Sequence, residues 1–127
     1  AAPADFTVAG SAGEKLSRAD GGLTVELVPT EDILAGLAAT RREGQTVVGF
    51  AAQHGGDAIG RARHKLAAKG ADLIVLNDVS DRTIGFDSTE NAVTLVAAAE
   101  ETEVARAPKP EVADRILDRA LELRAGR

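Results

Sequence analysis

Three observations predict an α/β fold. Two uninterrupted apolar runs, TVVGFAA (46–52) and DLIVLN (72–77), have the character of strands buried on both faces, as in a parallel sheet. Between them lies one helix-length segment, opened by Asp57 as N-cap and closed by Gly70, the arrangement of a strand–helix–strand crossover. Further on, NAVTLV (91–96) and TEVARA (102–107) have the look of an antiparallel hairpin added at a sheet edge.

Residues 1–22 show neither helical nor alternating period. Gly10, Gly13, Gly21 and Gly22 break them up, which predicts a long loop, with 7–22 as a mobile flap. LTVELV (23–28) is strand-like, because Leu23, Val25 and Leu27 alternate with Thr24 and Glu26. Pro29 ends it. Thr30 is then an N-cap for a helix from Glu31 to about Arg42. Its first turn carries Glu31 and Asp32 and its last Arg41 and Arg42, matching the helix dipole. Gly44 closes it. On the second helix Ile59, Ala62, Leu66 and Ala67 give an inward face, and Gly70 is the C′ residue. Pro110 opens a last helix with a stripe of Val112, Ile116, Leu117, Ala120 and Leu121. The sum is a partial doubly wound (Rossmann-like) three-layer sheet, with helices on both faces and an antiparallel edge hairpin. About three parallel strands are visible where open sheets of this kind often carry five or six. The expectation is that further strands lie upstream of Ala1.

Composition excludes several classes of function. Hydrophobic residues make up 44% of the chain, yet there are only three Phe and no Trp, Tyr, Met or Cys, so Val, Leu, Ile and Ala must form the core. Without cysteine there is neither disulfide nor thiolate chemistry, which fits a reducing, cytoplasmic setting. A formal net charge of -5 argues against non-specific nucleic-acid binding. No apolar run approaches the roughly 20 residues of a membrane span, and no signal-peptide pattern is present. No GxSxG, HExxH or P-loop motif occurs.

The remaining candidates are charged or flat side chains. Lys65 and Lys69 stand at i and i+4 and share a helix face, either a solvated face or a pair of point charges for a triphosphate. Arg61 and His64 crowd the same helix. The helix start at Thr30-Glu31-Asp32 is either a plain cap or an anion site. Because Glu31 and Asp32 repel a bare phosphate, the second reading requires a divalent cation, with Asp5 as another carboxylate ligand beside Asp32. Lys15, flanked by glycines, is either a solubilising charge or a lid lysine that closes over an anion. His54 and His64 have no acidic or nucleophilic partner at a telling spacing. Asn77 and Asp78 end a parallel strand, where ligands of open sheets bind. Phe50 near the end of the neighbouring strand would face the same crevice, as core or as a flat wall for a base.

Taken in order, ADF (4–6), Glu14-Lys15-Leu16, LTVELVPTEDIL (23–34), VVGFAA (47–52), ARHKLAAKGADLIVLNDVS (62–80) and GFDSTENAVTL (85–95) resemble phosphopantothenate–cysteine ligase. The likeness is closest to the ligase half of the bacterial bifunctional phosphopantothenoylcysteine decarboxylase/synthetase, and it covers nearly the whole chain. It implies a role in coenzyme A synthesis with CTP as co-substrate and Mg²⁺ as cofactor. The carboxylate of 4′-phosphopantothenate would attack the α-phosphate, and cysteine would then displace CMP from the acyl-cytidylate. The resemblance puts Ala1 in a backbone stretch that reads the cytosine and Asp5 against the nucleotide or its cation. It makes Lys15 the flap lysine needed in the second half-reaction. Glu31, Asp32, Ile33 and Leu34 match a nucleotide-binding segment, Phe50 a nucleotide contact, and Lys65 and Lys69 the lysines on CTP. A homodimer and an attached decarboxylase domain are implied partners.

The sequence departs from the family pattern at three places. Gln53 and His54 stand where the family usually has Glu-Thr, and the basic run after the flap lysine is reduced to Ser17-Arg18. The family's N-terminal stretch, with its first strand, glycine-rich turn and phosphopantothenate-binding loop, is expected upstream of Ala1. By that reading these residues alone do not complete the reaction.

Overall fold

The computed structural model describes residues 3–11, 13–15, 17, 21–53, 55–78 and 88–126. The chain divides into two units, Ala1–Asp32 and Ile33–Arg127.

In the first unit β1 (Phe6–Val8) pairs antiparallel with β2 (Leu27–Pro29), with Phe6 opposite Pro29 and Val8 opposite Leu27. Backbone bonds extend the ladder at both ends, from Ala9 N to Glu26 O at 2.9 Å and from Thr30 N to Asp5 O at 3.0 Å. Two expectations are corrected. Residues 6–8, read as part of a loop, form a strand. LTVELV shortens to its last two residues plus Pro29 and is no member of a parallel sheet. Its alternation is not backed by burial: Leu23 is 69% and Val25 52% exposed. A strand extends only as far as a partner is there to take its hydrogen bonds, and β1 offers three residues.

The second unit runs α1 (Ile33–Ala39), β3 (Val48–Gln53), α2 (Ala58–Lys69), β4 (Leu73–Asp78), β5 (Glu90–Val96), β6 (Glu101–Pro108) and α3 (Lys109–Ala125). Its sheet has the order β3-β4-β5-β6. β3 and β4 are parallel across the α2 crossover, with Phe50 opposite Val75 and Ala52 opposite Asn77. β5 lies antiparallel to β4, and β6 to β5. The sheet is therefore mixed, with two parallel strands rather than three and the expected hairpin at the edge.

Period-two alternation sorts the core into two layers. Ala51, Ile74, Leu76 and Val96 pack with Ala62 and Leu66 of α2, joined by Leu34 of α1. Leu73, Val75, Val93, Leu95 and Ala97 pack on the other face with Val112 of α3. Leu73, Ile74, Val75 and Val96 have no solvent exposure, which explains why LIVL (73–76) is apolar throughout.

Helix ends follow local chemistry. Asp57 accepts from Gly60 N at 2.8 Å and caps α2, while Gly70 ends it in the left-handed region at φ 65°. The helix expected over 31–42 shortens to Ile33–Ala39. Its proposed cap, Thr30, instead donates its hydroxyl to Ala4 O at 2.6 Å and its amide to Asp5 O. Arg41 leaves the helix and donates to Asp72 Oδ1 at 2.7 Å, while Asp72 Oδ2 accepts from Val47 N at 2.7 Å. One carboxylate thus joins the starts of β3 and β4 to the end of α1. On α3 the inward row is Val112, Ile116, Arg119 and Leu123, whereas Leu117 and Leu121 of the expected stripe are 61% and 58% exposed. Arg119 occupies this row because its guanidinium reaches out to Glu100 and to Glu122.

Candidate functional site

The candidate residues fall in both units and are described within each. In the second unit β3 carries Gln53 at its carboxyl end, the end at which open α/β sheets bind ligands, and Phe50 as the third of its six residues. Phe50 is 63% exposed although Gly49 and Ala51 beside it are buried. Of its two sequence readings, core is the one overturned. α3 lies across β5 and β6 and leaves the ring uncovered. The register puts Asn77 on the same face, opposite Ala52, as the crevice reading required.

α2 presents the lysines. Its buried row of Ala62 and Leu66 faces the sheet, and Lys65 and Lys69 flank that row half-buried. Lys65 Nζ donates to Phe50 O at 2.9 Å. The amine is thereby held on the backbone of β3 from the α2 side, while the Phe50 ring, opposite Val75, lies on the other face of the sheet. This is more than a solvated face, because the lysine stem crosses from α2 to the strand and its amine is held there. Arg61, one turn earlier, donates from Nε to Gln53 Oε1 at 2.8 Å and from Nη2 to Gly55 O at 2.5 Å. Neither contact is visible in the sequence. The spacings from Phe50 to Lys65 and from Gln53 to Arg61 depend on how the crossover returns, and no local period encodes that.

Leu34 and Ile33 open α1. Leu34 is packed against the core, so close to β3 that a Cβ on Gly49 would stand 2.6 Å from its Cδ2. Ile33 is 51% exposed. The helix start expected at Thr30-Glu31-Asp32 lies at Ile33 instead. Glu31 and Asp32 precede the helix rather than filling its first turn, and α1 has only seven residues.

In the first unit the β1–β2 ladder brings Asp5 opposite Thr30 and so to the same end of the pair as Glu31 and Asp32. All three side chains are exposed. Asp5 and Asp32 supply hard carboxylate oxygens, the donor type Mg²⁺ takes, and so fit such an ion chemically. Among the described residues no three His, Asp or Glu side chains gather as a metal cage. Lys15 is exposed in its glycine-flanked segment. Ala1 and His54 lie outside the described residues.

A family model, the DNA/pantothenate metabolism flavoprotein C-terminal domain, matches residues 1–123. The chain belongs to this family. The matched span of the DNA/pantothenate metabolism flavoprotein C-terminal domain takes in every candidate from Ala1 to Lys69. Among curated relatives, the coenzyme A biosynthesis bifunctional protein CoaBC of Bacillus subtilis (strain 168) is 47% identical over 95 residues, 75% of this chain and 23% of that protein. A cysteine/cysteine sulfinic acid decarboxylase of an unknown prokaryotic organism is 40% identical over 96 residues, 76% of this chain and 26% of that protein. The chain thus spans about a quarter of the length of these relatives. The crystal structure of the C-terminal domain of a CoaBC protein matches with a TM-score of 0.62 at 33% identity, over 78% of this chain and 45% of that one. The α/β class and the Rossmann-like sheet expected from sequence are those of this family. No helix of the described residues is long and apolar enough to cross a membrane.

Proposed function

We propose that this chain is the CTP-binding portion of a phosphopantothenate–cysteine ligase acting in coenzyme A biosynthesis. The observation that most supports the reading is the anchoring of Lys65, whose amine is held on the backbone of β3 at Phe50 O, on a strand that exposes the Phe50 ring on its other face. It occurs on a strand of the sheet's parallel pair, in a family that includes CoaBC proteins.

In this reading Phe50 provides a flat wall for the cytosine, and the backbone near Ala1 reads its edge. Lys65 and Lys69 offset the negative charge of the triphosphate, since nucleotidyl transfer depends on charge neutralisation more than on covalent help. Mg²⁺, held by Asp5 and Asp32, supplies further neutralisation when bound. Glu31, Ile33 and Leu34 border the nucleotide. The carboxylate of 4′-phosphopantothenate attacks the α-phosphorus and pyrophosphate leaves. The amine of cysteine then attacks the acyl carbon, CMP departs, and the amide forms. Lys15 closes over the mixed anhydride and keeps water from it. A homodimer and a decarboxylase domain elsewhere in the full-length protein complete the proposal.

Amide chemical shifts on titration with CTP and Mg²⁺ test it. The expected perturbations centre on Phe50 and the Lys65–Lys69 turn. Shifts confined to other surfaces, or none at millimolar CTP, would overturn the assignment.

A further inference from the structure

We propose that Arg61, held in place by Gln53, is an additional subsite for a phosphate oxyanion at the carboxyl end of β3. The inference rests on the reading of Lys65 as a triphosphate contact and extends it by one helical turn.

A guanidinium has five N–H donors in a planar fork suited to phosphate. Arg61 commits Nε to Gln53 and Nη2 to Gly55 O, and the rest engage no described residue. Both acceptors are neutral, so the positive charge is held without being cancelled. Lys65 is in the same condition, its amine resting on the carbonyl of Phe50. The two cations are one turn apart on α2 and are anchored three residues apart on β3.

Along α2 itself the charge is positive. α2 carries Arg61, Arg63, Lys65 and Lys69 and no Asp or Glu, in a chain whose formal net charge is -5. Arg63 is paired with Glu101, Asp57 Oδ1 accepts from Gly60 N at the helix cap, and Asp78 stands opposite Gln53 in the β3–β4 register. Among the described residues, Arg61 is exposed. Gly55 and Gly56 carry no side chain, and a Cβ on Gly56 would already press Arg61 Nη1 at 3.3 Å. Gln53 is therefore a positioning residue: it orients the arginine as a carboxylate would, without supplying the negative charge. Pre-ordering by two hydrogen bonds reduces the entropy lost when a phosphate binds.

Calorimetric titration of CTP with Mg²⁺, and of cytidine, into the chain and its variants tests this. Arg61→Ala and the nearly isosteric Gln53→Glu should each weaken CTP about tenfold, the scale of one charge-assisted hydrogen bond. Cytidine, lacking phosphate, should be unaffected. Gln53→Glu combined with Arg61→Ala should bind CTP no more weakly than Arg61→Ala alone, because Gln53 acts through the arginine. Far-UV circular dichroism confirms the fold of each variant, and Arg61→Lys, which keeps the charge, should retain most of the affinity if Arg61→Ala does not fold. Wild-type CTP affinity in Gln53→Glu and Arg61→Ala together with a loss in Lys65→Ala would overturn the subsite and leave the nucleotide reading standing. Unchanged affinity in all three would overturn both.

Discussion

Gly49→Ala is the substitution whose effect the packing fixes most closely. The new Cβ would lie 2.6 Å from Leu34 Cδ2, 2.9 Å from Ile74 Cδ1 and 3.4 Å from Leu34 Cδ1. Carbon atoms at rest stay about 3.5–4.0 Å apart, so roughly an ångström must be found. Ile74 is fully buried and has nowhere to go. Leu34 can retreat only by disturbing the first turn of α1. Overpacking of this kind costs about 1–3 kcal/mol, while exchanging a strand glycine for alanine returns about 0.5–1 kcal/mol. The expected net loss is about 1–2 kcal/mol. With a urea m-value near 1 kcal/mol/M for a small domain, the midpoint should fall by about 1–2 M. The chain has no Trp or Tyr, so far-UV circular dichroism is the suitable probe. Leu34→Ala should be less harmful in the Gly49→Ala background than in the wild type, because the two side chains compete for one space. A Gly49→Ala variant as stable as the wild type, or strictly additive double-mutant values, would refute the close packing of α1 on β3.

Three further outcomes are expected. Asp57→Ala removes the α2 cap and should lower stability by about 1 kcal/mol in the same urea assay, whereas Asp57→Asn should lose less. Asp72→Ala strips partners from Val47 N and Arg41 and should lower stability by about 1–3 kcal/mol, with amide exchange at Val47 speeding up markedly. Lys65→Ala and Lys69→Ala should each weaken CTP by about 1–3 kcal/mol in calorimetry, with the Lys65 variant also shifting the carbonyl resonance of Phe50.

The fold was legible where one physical rule acted alone. Continuous apolar runs located β3 and β4, and Asp57, Gly70 and Pro110 marked helix ends that depend on single residues. It was misread where a pattern needed a distant partner to become structure. Leu23, Val25 and Leu27 alternate correctly but only Leu27 finds a strand to pair with, and Thr30 spends its donors on Ala4 and Asp5 instead of capping α1. Leu117 and Leu121 looked like core, yet Arg119 takes the inward row because its long stem can be buried while its head reaches carboxylates. At the candidate site, the i, i+4 spacing of Lys65 and Lys69 gave the residues but not their setting. Phe50 emerged as an exposed ring rather than core because α3 covers the hairpin and not the end of β3.

The central claim, that this chain binds a cytidine triphosphate through Phe50 of β3 and Lys65 of α2, is tested most directly by calorimetric titration with CTP and with ATP in the presence of Mg²⁺. Saturable binding of CTP, stronger than that of ATP and weakened by Lys65→Ala, is the predicted result. No CTP binding at millimolar ligand, or a preference for ATP, would contradict it.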